Sequence, residues 1–506
     1  MTYTPVIPPY PHQIEARDKM RGRRAFALLM EPRTGKTKVM LDDWAEMAEA
    51  GEVHDLLYIS YAGALFGSDA IETQVPQHIP PALWERTSFL AWRSAGGKGH
   101  QEAAARLLRM SDPGRLRVLL ANVEALSSVC RTIDLCRDFL LSPGRRKVVV
   151  VGESTSIKGP SRRTNNVTAL GRLAEYRRIE TGTVAPNSPL DLFHQFNFLN
   201  PSIIGVDSWW AFRRRYAITE EICFLPKAQR QAFVARGRKP PTVTMVKSWR
   251  GLDELYRRIE PHSYRKRFRD CAAAPAGTYV LREVEMTAEQ ARIYRELRTE
   301  ATSELSSGVH VTATRALTRV LRMHQVLCGF VTSEDGQERP VRSRRLAALM
   351  GLIEDTSSQV VVWAVYNHSV RDIVSALRLR LDGGRETDPT CSRVAAFWGG
   401  NLRTREMEEE RFKSGDARVM VASQAAGGRG REWSCADLMV YYANSSNLEH
   451  REQSEMRVEG ISKVDRVTRV DLAVPGTVDM KIIQCLRSKI DVASALQGDG
   501  YREWLV

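Results

Sequence analysis

The chain lacks any apolar run approaching the 20 or so residues that span a bilayer; stretches such as Val148 to Val151 are far too short. Residues Met1 to Pro11 also lack the charged-then-apolar order of a secretory signal. Both absences exclude a membrane role and point to a cytoplasmic protein. The eight cysteines are scattered, with no C-x-x-C pair and no matching histidine spacing, so neither a disulfide framework nor a structural metal is expected. No internal repeat is visible. Acidic residues are in deficit: 60 Asp and Glu stand against 74 Lys and Arg, leaving a net charge of +14. That balance implies a polyanionic partner, and nucleic acid leads where no membrane segment exists. Wholesale disorder is excluded by a composition that is 43% hydrophobic and 26% charged. At about 150 residues per domain, 506 residues make a multidomain α/β protein the natural expectation.

What is present is organised around Leu28-Leu29-Met30-Glu31-Pro32-Arg33-Thr34-Gly35-Lys36-Thr37, which reads as a strand end, a tight loop and a helix start. In such a loop the backbone N–H groups face phosphates, the lysine reaches the outer phosphates and the threonine hydroxyl takes a Mg²⁺ position. Thr34, Gly35, Lys36 and Thr37 supply those parts, although the strict pattern has glycine where Met30 stands. The plain alternative is a basic turn before the amphipathic helix that carries Met40, Trp44 and Met47. Upstream, Gln13 has an amide able to donate to and accept from an adenine edge, with Tyr10 nearby to stack. A helix N-terminal region explains the same two residues equally well.

Leu56 to Ser60, Val118 to Asn122 and Lys147 to Val151 read as buried parallel strands. The last of these ends in Gly152-Glu153-Ser154-Thr155, and carboxylates at that end of a parallel strand sit where ligands bind. Glu153 is therefore the candidate for orienting the attacking water, and for holding Mg²⁺ through water. A strand and a hydroxyl-rich turn follow, Thr181-Gly182-Thr183, then Val184 to Pro189.

From about Trp209 the composition turns basic and aromatic, with Arg213 to Arg215, Arg236 to Lys239 and Arg265 to Arg267 among Trp209, Trp210, Tyr216, Trp249 and Tyr264. Such a segment suits a phosphate backbone, and a solvated helical insertion suits it nearly as well. Strand-like runs resume at Gln359 to Ala364, Val394 to Trp398, Arg418 to Ala422 and Leu438 to Tyr442. The expected division is an ATP-binding domain over 1–208, a basic and mainly helical segment over 209–330, a linker over 331–341, and a second α/β domain over 342–506.

The order of Gln13, the Gly-Lys-Thr loop, the strand ending at Glu153 and the Thr-Gly-Thr turn resembles the first motor domain of superfamily-two helicases. Asn187 to Pro201 narrows the likeness to the Swi/Snf-type translocases, especially their compact phage-encoded relatives. In the second half, Ala425 to Gly430 matches the glycine-rich coupling loop and Glu452-Gln453-Ser454-Glu455-Met456-Arg457 the start of the arginine motif. The resemblance implies two RecA-like parallel-sheet domains in tandem, with ATP·Mg²⁺ between them. It implies binding of duplex or branched DNA without sequence preference, and a host cytoplasm if the protein is phage-encoded. It assigns Glu153, Arg457 and Gln453 to catalysis, Gln13 and Thr34 to Thr37 to the nucleotide, Thr37 and Glu153 to Mg²⁺. Thr181, Gly182, Thr183, Gly428 and Gly430 go to coupling with nucleic acid.

Two departures fall on chemical positions. Gly152 stands where the family places a metal-holding aspartate, and Gly460 where it places a second arginine, whose loss costs about 10³ to 10⁵ in rate in related transfers. Two readings follow: a DNA-dependent ATPase that moves on or remodels DNA, or an ATP- and DNA-binding protein of the same fold with strongly reduced or absent turnover. A small-molecule P-loop enzyme is a third, disfavoured by the basic balance and the second α/β half. Slow hydrolysis is expected, raised by Gly152→Asp together with Gly460→Arg.

Overall fold

The structure, a computed structural model of the chain, describes all residues except 1–2, 67–69, 113, 184, 187, 223–230, 232, 238, 240–241, 272–276, 308–312, 334, 384–390, 428–431, 460–465 and 497–506. The described residues fall into two compact units, the first drawn from 1–216, 251–273 and 489–506, the second from 217–250 and 274–488. Each is an α/β unit on its own parallel sheet.

The first unit is built on β1 (Ala25–Met30), β2 (Asp55–Ser60), β3 (Thr87–Ala91), β4 (Leu116–Asn122), β5 (Lys147–Gly152), β6 (Tyr176–Glu180) and, from later in the chain, Ser263–Lys266. Successive side chains of a strand point to opposite faces, and here both faces are covered, so β1, β2, β4 and β5 are largely apolar rather than alternating. Leu28, Met30, Leu56, Tyr58, Val148 and Val150 pack toward Met40, Leu41 and Trp44 of the helix Lys36–Glu49. Leu57, Ile59, Val149, Val151 and Ile179 face the other way, toward Phe193, Phe196 and Leu199 of the helix Leu192–Leu199. Buried charge is matched: at the start of β2, fully buried Asp55 bridges Arg117 at 2.5 Å and Arg145 at 2.7 Å.

The basic segment is not helical alone. After the helix Trp209–Tyr216 come β7 (Ala217–Ile222) and β8 (Val243–Trp249), an antiparallel pair. Then β9 (Ser263–Lys266) closes the first sheet, whose order is β3-β4-β2-β5-β6-β1-β9 with every pairing parallel. Next, β10 (Thr278–Glu283) becomes an edge of the second sheet. Residues 331–341 carry part of a short antiparallel pair, β11 (Phe330–Thr332) with β12 (Glu338–Pro340).

The second sheet continues with β13 (Val360–Ala364), β14 (Val394–Phe397), β15 (Val419–Ser423), β16 (Leu438–Tyr441) and β17 (Thr468–Ala473), ordered β10-β17-β16-β13-β15-β14 and parallel throughout. Val360, Val362, Val419, Val421 and Val440 form one face, with Leu349 and Ile373. Val361, Trp363, Met420, Met439 and Tyr441 form the other, around Trp433. No helix among the described residues is long and apolar enough to cross a membrane.

Candidate nucleotide site

The loop from Glu31 to Gly35 leaves β1 and enters the helix Lys36–Glu49 through two left-handed residues, Arg33 at φ 67° and Gly35 at φ 80°. Glycine is required at 35 on a second count: a Cβ there would lie 2.2 Å from Gln13 Nε2. No side chain caps this helix. Its first N–H groups, which have no intrahelical acceptor, therefore suit an anion, and the helix dipole adds positive potential. Thr34 Oγ1 donates to the Glu31 carbonyl at 2.7 Å and Lys36 Nζ to the same oxygen at 3.3 Å, so the lysine lies folded along its own loop.

Gln13 is buried against this loop. Its Oε1 accepts from Tyr10 N at 3.0 Å and its Nε2 donates to the Thr34 carbonyl at 3.1 Å, which His12 Nε2 also contacts at 2.9 Å. One end of the amide thus caps the start of the helix Pro11–Met20 and the other holds the loop to it. Tyr10 is half exposed, its ring stacked on His12.

Glu153 follows β5 in the left-handed region, φ 50° and ψ 67°, a conformation that costs a non-glycine residue about 1 kcal/mol or more. Its Oε2 accepts from Thr181 Oγ1 at 3.5 Å. The Thr181 to Thr183 turn is pinned in its own right, since Thr181 N donates to Leu28 O at 3.0 Å and Thr181 Oγ1 to Thr183 O at 3.0 Å. Gly182 has to be glycine, because a Cβ would meet Pro32 Cδ at 2.6 Å. The structure therefore brings Gln13, the Thr34 to Thr37 loop, Glu153 and Thr181 to Thr183 into one neighbourhood of the first unit.

Sequence reasoning missed two residues there, Tyr58 and Glu180. Parallel registration sets Gly152 directly beside Glu180 on β6, and Tyr58 lies on β2 at the other side of β5. All three positions share the sheet face that carries the helix Lys36–Glu49. With no side chain at 152, the Tyr58 ring crosses β5 and donates its hydroxyl to Glu180 Oε1 at 2.5 Å. The Thr37 side chain lies close enough to lower the titration of the same Tyr58 hydroxyl, and Ser60 Oγ donates to the Gly152 carbonyl at 3.2 Å. Glu180 is 4% exposed, and its Oε2 is buried with no hydrogen-bond partner among the described residues. Burial pushes its carboxyl up to about 7; the charge of Lys36 and the Tyr58 hydrogen bond pull it down, while Glu153 pushes it further up. Burial and the Glu180 charge push the Tyr58 phenol well above its usual range. The findable signal was a lone acid closing a strand one position before the Thr-Gly-Thr turn.

The expected gain from Gly152→Asp changes with this geometry. A Cβ at 152 would lie 2.9 Å from Tyr58 Cε1 and 3.0 Å from Ser60 Oγ, so the space for an aspartate is taken.

In the second unit, Gln453 lies buried on the helix Leu448–Glu455, its Nε2 donating to Glu449 Oε1 at 3.4 Å while its Oε1 has no hydrogen-bond partner among the described residues. Arg457 follows that helix, and its carbonyl accepts from Trp433 N at 2.8 Å. Gly428, Gly430 and Gly460 lie outside the described residues, as do Val184 and Asn187. Among the described residues no group of three or more His, Cys, Asp or Glu is suited to hold a metal. Mg²⁺ carried in with phosphates needs less, one or two protein oxygens and water. The Thr37 hydroxyl with a buried carboxylate oxygen lacking a partner fits that demand.

Comparison with known proteins bears on the same regions. The SNF2-related domain matches residues 97–330. The ATP-dependent helicase fft2 of Schizosaccharomyces pombe is 22% identical over 190 residues, 36% of this chain and 14% of that protein, so the chain matches only a small part of its relative's length. Among solved structures, the Sulfolobus solfataricus SWI2/SNF2 ATPase core in complex with dsDNA covers 98% of this chain and 96% of its own, at 17% identity and a TM-score of 0.40.

Proposed function

We propose that this chain is an ATP-dependent DNA translocase of the Swi/Snf type, coupling ATP hydrolysis to movement on or remodelling of duplex or branched DNA. The observation that carries the reading is the uncapped helix start at Lys36 behind a left-handed loop, set beside the strand-end carboxylate of Glu153. The match to the SNF2-related domain and the helicase relative support the DNA-dependent half of it. The finer likeness to phage-encoded relatives, and the cytoplasm that goes with it, rest on the sequence motifs alone.

In this reading the N–H groups of Gly35, Lys36 and Thr37 cradle the phosphates, and Lys36 leaves the Glu31 carbonyl to reach the outer ones. Gln13 holds the loop in shape with its amide and faces the base only if those bonds exchange. Thr37, with Glu153 through water, holds Mg²⁺, which neutralises charge on the outer phosphates when bound. Glu153 orients the attacking water. Arg457 and Gln453 take the catalytic roles that the arginine motif implies. The Thr181 to Thr183 turn touches both Pro32 and Glu153, so a change at the phosphates reaches the coupling turn through direct contact. DNA is held through backbone phosphates, with Thr181, Gly182, Thr183, Gly428 and Gly430 in the coupling role and the basic segment adding cations. Arg213 lies over the rings of Trp209 and Trp210, and Trp210 is 66% exposed, a surface suited to sugars or bases.

A second reading, nucleotide and DNA binding with little turnover, is favoured by one observation, the Tyr58 ring filling the space beside Gly152. Phosphate release with and without duplex DNA, alongside binding of a fluorescent ATP analogue, separates the two. Binding with DNA-stimulated release supports the first, and binding without release the second.

A further inference from the structure

We propose that Glu180 supplies the metal-facing carboxylate of this nucleotide site, taking on from β6 the task of the acid missing at Gly152 on β5. The inference rests on the nucleotide-site reading above and names a residue for one of its parts.

Four observations carry it. The parallel register pairs Gly152 with Glu180, so an acid moved from one position to the other shifts by a single strand and stays at the same end of the sheet. The side chains at 58 and 180 and the vacant one at 152 share the face carrying the helix whose first residues are Lys36 and Thr37. Tyr58 ties Glu180 Oε1 at 2.5 Å, and the Thr37 side chain lies close enough to act on the same phenol, which sets the carboxylate near the hydroxyl that takes the metal position. Finally, Glu180 Oε2 is buried with no hydrogen-bond partner among the described residues, although a buried carboxylate oxygen ordinarily has one.

The absence of a side chain at 152 then has a structural meaning. An aspartate there would displace the Tyr58 ring that positions Glu180, so a glycine at 152 and a tyrosine–glutamate pair across it are mutually dependent. Mg²⁺ prefers one or two carboxylates plus water and phosphate oxygens, and Thr37 with Glu180 directly and Glu153 through water meet that preference. Glu153, held toward Thr181, stays available to orient the attacking water.

A purely structural Glu180, a buried counter-charge for Lys36, makes a different prediction, and nucleotide binding distinguishes the two without turnover. Affinity for a fluorescent ADP or ATP analogue is measured across a Mg²⁺ titration for the natural chain, Glu180→Gln, Glu153→Gln and Lys36→Ala, with thermal melting of each to establish folding. The expected result is that Glu180→Gln keeps the metal-free affinity but needs at least about tenfold more Mg²⁺ for half of the metal-linked tightening. Glu153→Gln, which removes only a contact made through water, should raise that midpoint less than Glu180→Gln does. Mn²⁺ in place of Mg²⁺, followed by electron paramagnetic resonance, should show the bound-metal signal lost in Glu180→Gln. An unmoved midpoint in a folded Glu180→Gln, or one moved only by Glu153→Gln, overturns the assignment while leaving the cradle intact. Should Glu180→Gln fail to fold, Tyr58→Phe carries the test: a raised Mg²⁺ midpoint supports the assignment and an unchanged one overturns it. If the natural chain binds no nucleotide, or Lys36→Ala binds it equally well, the cradle reading falls and this inference with it.

Discussion

Tyr58 donates its hydroxyl to Glu180 at 2.5 Å across a strand on which neither residue lies, passing over the one position, Gly152, that has no side chain to block it. The contact links β2 to β6 over β5, beside the helix that starts at Lys36, and makes the residue at 152 part of a packed unit.

Gly152→Asp by itself should therefore destabilise, by about 1–3 kcal/mol for overpacking, and should not raise turnover. Relocating the whole device, with Tyr58→Val, Gly152→Asp and Glu180→Leu together, should recover Mg²⁺-linked nucleotide affinity that Glu180→Leu alone loses. Chemical denaturation and the Mg²⁺ titration check both halves. A stable and faster Gly152→Asp single variant would contradict the packing argument.

Lys36→Ala leaves the loop backbone in place and removes the cation. Nucleotide affinity should drop at least tenfold, which is about 1.4 kcal/mol, in a fluorescence titration. Unchanged affinity would mean that the phosphates bind elsewhere.

The far end of β2 predicts a stability effect without a site effect. Asp55 is fully buried between Arg117 and Arg145, so Asp55→Ala leaves two cations without their counter-charge and should cost about 3–5 kcal/mol. Urea unfolding monitored through the first unit checks it, and a loss below about 1 kcal/mol would contradict the description of that network.

His324 gives a pH dependence in the second unit. Burial pushes its imidazole down to about 4, opposed by Asp479 and reinforced by Arg345, with Tyr366 hydrogen-bonded to Nδ1 at 2.8 Å. The folded chain thus keeps it neutral at pH values where the unfolded chain, titrating near 6.5, takes up a proton. Unfolding binds protons in that window, so stability contributed by the neutral ring is complete above about 6.5 and is lost as pH falls toward 4, at up to about 1.4 kcal/mol per unit. His324→Gln should show a shallower fall in melting temperature over that window than the natural chain. Parallel curves would contradict it.

DNA held through backbone phosphates should dissociate steeply with salt, each neutralised phosphate contributing about −0.9 to the slope of log K against log salt. Titrations of unrelated duplexes at several salt concentrations check this. A flat slope, or one preferred sequence over a weak background, would point to a sequence reader.

Much of the first unit was legible because its signals are local. The strand runs ending at Met30, Ser60, Asn122 and Gly152 are apolar on both faces, and the loop into Lys36 carries its chemistry in consecutive residues. Glu180 was not legible as a site residue, because its meaning comes from Gly152 and Tyr58, far away in the chain and adjacent only through parallel register. The chemistry of Gln13 suits an adenine edge or a helix N-terminal region equally well, and in the structure its amide bonds Tyr10 N and the Thr34 carbonyl. The strands β9 and β10 escaped notice within a basic stretch because Ser263–Lys266 is too short and charged to read as a strand; pairing with β1 makes it one.

Coupling of nucleotide chemistry in the first unit to DNA is read out by steady-state phosphate release from the natural chain and Lys36→Ala, each with and without saturating duplex DNA. Release by the natural chain should be slow, accelerated by DNA and abolished in Lys36→Ala under both conditions. Release that ignores DNA, or that survives the loss of Lys36, would contradict it.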